Sequence, residues 1–557
     1  MDFTEIYKQT ASLVSFSPGT HFLLTAVQDR LIVRRSDSFQ IARTWLVDST
    51  PSPTSAALSN AVGAGPSSLR DRSGETISSA WITHAGWSCD SEYVLGACAK
   101  SGVVSVFKLR DETWSARIKA GSEGLVKAEW APDGRTVLCF SEWGVSLCSG
   151  LLLYQLNRLH FVQHVLQLRV TMWSLVTGAA TYIQYPIHPD RGYAFRRDSR
   201  YFVLAERHKS KDTLGVYDAH EAYRLVRHFP LPTGSLSSLS LSPTGNYLAV
   251  WEGPLEYKLY IVTLAGNVVG TFCPEPDPGF GIRMVSWHPS GLFLAVAGSD
   301  DKVHILESLT WNPLATLDLP TRIPAGVRIW REPSGWLDAT HGRGFLSYER
   351  IQPPFTLPTS ASHVRTKPTK LTTRAASGRL GLASGSGSGS MSGTTQLAFN
   401  TSGTLLLVRS GASPTTVLLY DFPGTPSSAS PSTNASTTPP EKVGIPQLRT
   451  VLLHTQPVTA ARWNPDPGRA GRLAVACGSQ SVYLWSDEWV SEPDSRAAGE
   501  DDGESEVAEC VGVPAQKFET RDLRWAPDGK GMVLLDRETF CCAFEVEEEG
   551  QEGQTER

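Results

Sequence analysis

A β-propeller, an all-β fold of four-stranded units repeated about an axis, is what this sequence predicts. Three observations predict it. The pentapeptide WAPDG occurs at residues 130–134 and again at 525–529. Seven looser copies of the phrase lie elsewhere, several of them about 45 residues apart. After each copy comes a similar succession of short apolar strands and polar turns.

The phrase itself reads as a hairpin corner. Pro132 presets φ for the first turn position, the Asp bonds its own backbone, and Gly134 takes the left-handed conformation. Trp130 ends the incoming strand, and "RTVLCF" at 135–140 begins the return. Trp525, Pro527 and Gly529 repeat this before "KGMVLL" at 530–535. Trp287, Pro289 and Gly291 do the same in "WHPSGLFLAV" at 287–296, and Trp463 in "WNPDPGRAGRLAV" at 463–475. Further copies are "FSPGTHFLL" (16–24), "WSCDSEYVL" (87–95), "FRRDSRYFVL" (195–204), "LSPTGNYLAV" (241–250) and "FNTSGTLLLV" (399–408). A degenerate tenth unit is expected over 321–355, around "WREPSGWL" at 330–337. A third strand follows in each unit, as in "VSVFKL" (104–109) or "SVYLWS" (481–486), and a fourth closes it, as in "PLATL" (313–317).

Four antiparallel strands at this period are the signature of a WD40-type blade. The expectation is a WD40-type β-propeller of nine to ten four-stranded units, in one large ring or two joined rings. Residues 1–47 hold the first unit, 81–320 and 395–548 the remaining blades. The Trp-Asp dipeptide is eroded to Tyr217-Asp218, Tyr420-Asp421 and Trp485-Ser486. His454, in the best remnant of the usual Gly-His, reads as an intra-blade hydrogen bond holding a turn. The last unit supplies only three strands, and "FTEIYK" at 3–8 is placed to add the fourth. Such strand addition removes exposed edges.

Composition fits a globular chain, with 41% hydrophobic and 19% charged residues. A net charge of −5 gives no basic footprint for nucleic acid. Nine scattered cysteines without a CxxC pair read as reduced, mostly buried thiols. The N-terminus has no apolar core and does not resemble a signal peptide. Ser-, Pro- and Gly-rich stretches at 48–80, 356–394 and 423–441 read as disordered inserts. The segment 491–508 reads as another insert, its acidic run at 500–506 as a solvated loop, and 549–557 as an acidic tail.

The segment 145–167 differs. It is apolar but broken by Arg158, His160 and His164, so it does not suit a membrane span. It interrupts a unit where one strand turns into the next. One reading is an amphipathic helix that docks a partner. The preferred one is a retained intron: Val codons begin GT, a Gln codon can end AG, and excision keeps the frame.

No catalytic constellation is present: there is no GxSxG, no GxxxxGK and no HExxH. No catalytic, cofactor-binding or metal-binding residue is therefore assigned, and no cofactor is expected. Glu206, Arg207, Lys211 and Asp212 form a charged cluster after a strand, either a partner-binding patch or an ordinary exposed turn.

Unit-specific phrases go beyond a generic blade. They include "GLVKAEWAPDGR" (124–135), "LRVTMWSLVTGAATYIQYP" (168–186), "YFVLAERHKSKD" (201–212), "LAVWEGPLEYKLYIVTLAGNVVGTF" (248–272) and "GIRMVSWHPSGLFLAVAGSDDKVHILESLTW" (281–311). In this order they resemble the WRAP-type WD-repeat proteins of centrosomes and spindle pole bodies, over roughly 1–48, 81–320 and 395–545. The inserts depart from that pattern and, with the suspected intron, suggest a fungal source. The resemblance implies a non-enzymatic cytoskeletal adaptor at a microtubule-organising centre. It would bind a coiled-coil partner and a minus-end-directed kinesin, and would anchor microtubule minus ends during spindle assembly. No nucleic acid or membrane partner is implied. Candidate contacts are Glu206, Arg207, Lys211, Glu256, Tyr257 and Lys258, because blade architecture alone does not demand them. The alternatives are a substrate receptor of a ubiquitin ligase or a translation-factor-like propeller.

Overall fold

The structure is a computed structural model that describes residues 1–47, 81–120, 124–144, 166–359, 393–422, 445–487, 506–515 and 517–545. The expected inserts at 48–80 and 423–441, most of 356–394 and 491–508, the bulk of 145–167 and the tail at 549–557 lie outside these residues.

Among the described residues, nine blade sheets with antiparallel blade strands follow one another along the chain, and a tenth, two-stranded sheet lies between the sixth and seventh. Blades 1 to 6 span 14–46, 84–119, 125–184, 193–230, 236–272 and 284–318. Blades 7 to 9 span 394–453, 460–512 and 522–544. In the first eight the strands pair in chain order, first to fourth. The middle strands are packed on both faces; Phe293–Ala297 is buried at every residue. They therefore read as unbroken apolar runs rather than alternating ones. In blades 1 to 6 the fourth strands face water, as in Arg224–Pro230, where six of seven residues are exposed.

Each neighbouring pair of blades shares one apolar cluster, and the series closes. Val14, Phe16 and Leu23 of blade 1 pack with Val533, Leu535 and Phe540 of blade 9. The ring is therefore single and nine-bladed. Closure is by strand addition at the expected place: Asp2–Phe3 and then Tyr7–Lys8 pair antiparallel with Thr539–Phe544. Gln9 fixes the crossing by donating through Nε2 to the carbonyls of Asp536 and Arg537, at 2.9 and 3.0 Å.

The corner phrase is a turn closed by an i-to-i+3 bond. Gly134 N–H donates to Ala131 C=O at 3.1 Å, and Gly529 N–H to Ala526 C=O at 2.9 Å. Gly134, Gly291 and Gly529 have φ of +65°, +75° and +69°. Asp133 Oδ1 accepts from the backbone of Arg135 and Thr136, both at 2.9 Å. The same turn recurs with Thr20, Ser91 and Ser199 at the left-handed position. The tryptophans do more than end strands. Trp130 Nε1 donates to Gly86 C=O (3.1 Å), Trp287 to Ser240 (3.3 Å), Trp463 to Ala398 (3.1 Å) and Trp525 to Arg462 (2.9 Å). Each acceptor belongs to the first strand of the preceding blade, so the indoles stitch blade to blade.

The segment expected as a degenerate tenth unit, 321–355, builds no four-stranded blade; its two ends, Arg322–Ile323 and Phe355–Thr356, form only a two-stranded sheet. Arg328–Arg331 adds in parallel to the outer strand Gln447–Leu453 of blade 7, and Glu349–Ile351 pairs outside it. Phe345–Ser347 adds antiparallel to Val507–Gly512 of blade 8. These strands are three to four residues long, too short to stack as a blade, and the open outer edges of blades 7 and 8 supply the missing partners. The segment is a strap across two blades.

The acidic run at 500–506 is not wholly a solvated loop. Glu506 is 5% exposed, next to the outer strand of blade 8. Its carboxylate accepts from Arg328 (2.7 Å), Arg449 (2.5 Å), Thr450 (2.8 Å) and Trp330 (3.3 Å). Local acidity suggested water; two arginines from the strap and blade 7 override it.

Candidate partner-binding surface

Turns between second and third strands share one end of the ring with the connections between blades. The candidate contacts in blades 4 and 5 lie at this end. In blade 4 the two middle strands, Tyr201–His208 and Lys211–Asp218, are eight residues each. Their turn is Lys209-Ser210, both with positive φ (49° and 65°), which suits the right-handed twist of a two-residue hairpin.

Side chains alternate along this hairpin. Arg207 points toward blade 5 and pairs with Asp212 at 2.8 Å. Asp212 is buried and also accepts from Leu236 N–H (2.7 Å) and Thr233 Oγ1 (3.1 Å), tying blade 4 to blade 5. Glu206 points the other way and is 3% exposed, its carboxylate held by the Tyr217 hydroxyl and by His208. Lys211 is exposed beside the turn.

In blade 5, Glu256 and Lys258 form an exposed pair at 2.8 Å. Tyr257 between them is fully buried, its ring against Phe272 and His304 at 6.4 and 6.1 Å. Burial raises its phenol pKa well above the ordinary value, with Asp300 adding to the rise. Glu206 and Tyr257 thus offer no contact surface. Arg207, Lys211, Glu256 and Lys258 remain, on adjacent blades at one end. Sequence reasoning missed their apolar neighbours. Leu255 is 82% exposed and Phe280 61%, and Gly281 N–H bonds Pro254 C=O at 2.8 Å. The available signal was a bulky apolar residue inside a Gly-Pro turn, "GPLEY".

A concavity of about 380 Å³ lies between blades 8 and 9, the closing strand and the strap. Phe3, Phe345, Trp485, Val511 and Trp525 line it, with Arg472 and Glu545 at its rim. The Arg472–Glu545 pair spans 2.7 Å.

His454 donates its backbone N–H to Thr415 C=O within blade 7 at 2.9 Å, but its ring reaches outside that blade. Its Nδ1 meets the hydroxyl of Tyr348, from the strap, at 3.2 Å, and its ring stacks edge-on to Tyr483 at 4.8 Å. Burial pushes its pKa down to about 4, against an opposing pull from Glu332. Glu332 accepts from Trp336 Nε1 (2.9 Å), Tyr483 Oη (2.6 Å) and Thr455 N–H (2.7 Å). Burial alone would raise the Glu332 carboxyl, but these donors hold it below the usual range. The group is a structural knot that fixes the strap between blades 7 and 8.

Four-stranded blades on a recurrent corner, closed into one ring, define a WD40-type β-propeller. No protein-family model matches the chain. Mouse WD repeat-containing protein WRAP73 is 28% identical over 553 residues, 98% of this chain and 96% of that protein. An uncharacterized WD repeat-containing protein of Schizosaccharomyces pombe is 23% identical over 235 residues, 41% of this chain and 44% of its own. Among solved structures, the C-terminal WD40 domain of Sif2 has a TM-score of 0.42 at 11% identity, covering 84% of this chain and 96% of that domain. The β-propeller domain of Myceliophteria thermophila Cps50 (Swd1) has a TM-score of 0.30 at 13% identity, covering 57% and 89%. The chain is a WD-repeat protein related to WRAP73. Among the described residues no helix is long and apolar enough to cross a membrane.

Proposed function

We propose that this protein is a non-enzymatic scaffold at the centrosome or spindle pole body. It holds a coiled-coil partner and a minus-end-directed kinesin there, and so anchors microtubule minus ends in spindle assembly. The observation that carries this reading is the likeness to WRAP73 over 98% of the chain, rather than over a few generic blades. A rigid ring with exposed charges beside Leu255 and Phe280 supports a protein-binding role. Apolar anchors rimmed by charge are the usual make-up of such a surface.

Imaging a tagged copy through mitosis tests the location. Focal signal at spindle poles is the expected result, and diffuse signal throughout discards the reading. The surface is tested by Lys211→Glu and Lys258→Glu combined with Leu255→Asp. All three side chains are exposed, so melting is expected to stay within about 2 °C of the parent. Co-purification of the coiled-coil partner is expected to fall at least about tenfold; undiminished recovery removes this face from consideration.

A further inference from the structure

Glu206 stood out in the sequence, and its burial leaves it outside the partner surface. It has company. The carboxylate of Glu206 and the imidazoles of His208 and His228 converge, each offering one ligand atom, all within 4.8 Å of one another. Glu206 Oε2 lies 2.8 Å from His208 Nε2 and 3.5 Å from His228 Nε2.

The fold builds this convergence. Glu206 and His208 are two apart on one strand, so both face blade 3. His228 stands on the outer strand, across Gly215 in register. The glycine is required there: a Cβ on residue 215 would sit 2.5 Å from the Tyr217 ring and would also strike the Glu206 carboxylate. With no side chain in the middle strand, the groups of the two flanking strands reach each other over it. The Tyr217 hydroxyl donates to Oε1 of Glu206, which fixes the carboxylate and leaves Oε2 aimed at the two imidazoles. His208 is held edge-on between Tyr185 (5.3 Å) and His228 (5.4 Å).

From this geometry we infer that Glu206, His208 and His228 form a site for a divalent transition-metal ion, best suited to Zn²⁺. Two imidazole nitrogens and one carboxylate oxygen are a borderline-soft donor set of the kind zinc accepts. Ligand bonds of about 2.0–2.2 Å in tetrahedral geometry put donor atoms about 3.3 Å apart. The His228 contact already has that spacing, and the His208 contact opens by about half an ångström. Tyr217 is the outer partner that orients the carboxylate ligand. His208 and His228 are 39% and 36% exposed on their side chains, so the fourth position faces solvent. Water fills it, or a His, Cys or carboxylate of a bound protein.

The test uses the full, untagged chain stripped with a chelator and titrated with Co²⁺, then Zn²⁺. One equivalent of Co²⁺ with the visible bands of low-coordinate cobalt, displaced by Zn²⁺, is the expected result. His228→Ala sits on an exposed outer strand and is expected to fold normally while weakening Zn²⁺ at least about tenfold. His228→Cys is expected to restore binding and to add a thiolate-to-cobalt charge-transfer band. Absence of stoichiometric binding, or Zn²⁺ affinity unchanged in both His208→Ala and His228→Ala, overturns the site and leaves a plain hydrogen-bonded cluster.

Discussion

At the scale of single residues, buried charge decides more than exposed charge. Glu506 joins the strap to blades 7 and 8 through two arginines. Burial alone would raise its carboxyl; Arg449, Thr450 and Arg328 hold it below the usual range instead. Glu506→Ala removes the anion that Arg328 and Arg449 share, while Arg449 keeps Asp421 and Asp487, and is expected to cost about 1–3 kcal/mol in urea unfolding. His454 behaves oppositely. Its folded pKa, about 4, lies below that of the unfolded chain, so the unfolded state takes up protons first. Stability from the neutral ring is complete above the unfolded value near 6.5 and declines as pH falls toward 4. Melting curves between those limits are expected to flatten in His454→Gln. Gly134→Ala meets two penalties: a left-handed φ of +65°, worth about 1–2 kcal/mol, and a Cβ 2.8 Å from Cys89 Sγ. The turn glycines were legible because only a few residue types make such a corner. Burial of Glu206, Tyr257 and Glu506 was not, since it depends on strands that meet only after folding.

At the scale of elements, the register around the unusual apolar segment is informative. Thr136–Gly144 pairs with Leu166–Ser174 without a slip. Glu142 opposes Leu168 in that ladder. Removal of 145–167 leaves Trp143-Gly144 as a two-residue loop closing the same hairpin, the favoured length for such a connection. A chain lacking 145–167 is expected to fold with its melting temperature unchanged or raised, measured by calorimetry. A large loss of stability makes the segment part of the blade and removes the intron reading. Blades themselves were legible because turn chemistry and apolar runs are local. The strap was not, because its pairings with the blades span more than a hundred residues and its strands are too short to carry a pattern. Arg328–Arg331, for example, meets Gln447–Leu453.

At the scale of the whole molecule, the ring depends on its first residues. Deleting 1–8 strips Phe3 and Tyr7 from the outer strand of blade 9, and with them the tilted ring contact of Tyr7 on Phe540 at 5.5 Å. The uncovered strand becomes an open edge. Lower melting and concentration-dependent self-association are expected in light scattering; a monomer of parental stability contradicts closure by these residues. The ring count was undecided in the sequence because nine corner phrases fit one circle or two, and only the cluster between blades 9 and 1 decides it.

The strap also sets an order of events during synthesis. Residues 328–351 leave the ribosome before 447–453 and 507–512, the strands they must pair with. A nascent chain halted near residue 440 therefore carries this stretch paired only with itself, and Trp336 and Tyr348 lack the blade 8 part of their apolar cluster. One extended past 515 has both docking edges in hand. The last quarter of translation thus does two jobs at once, locking an earlier segment onto the rim and bringing the two chain ends together.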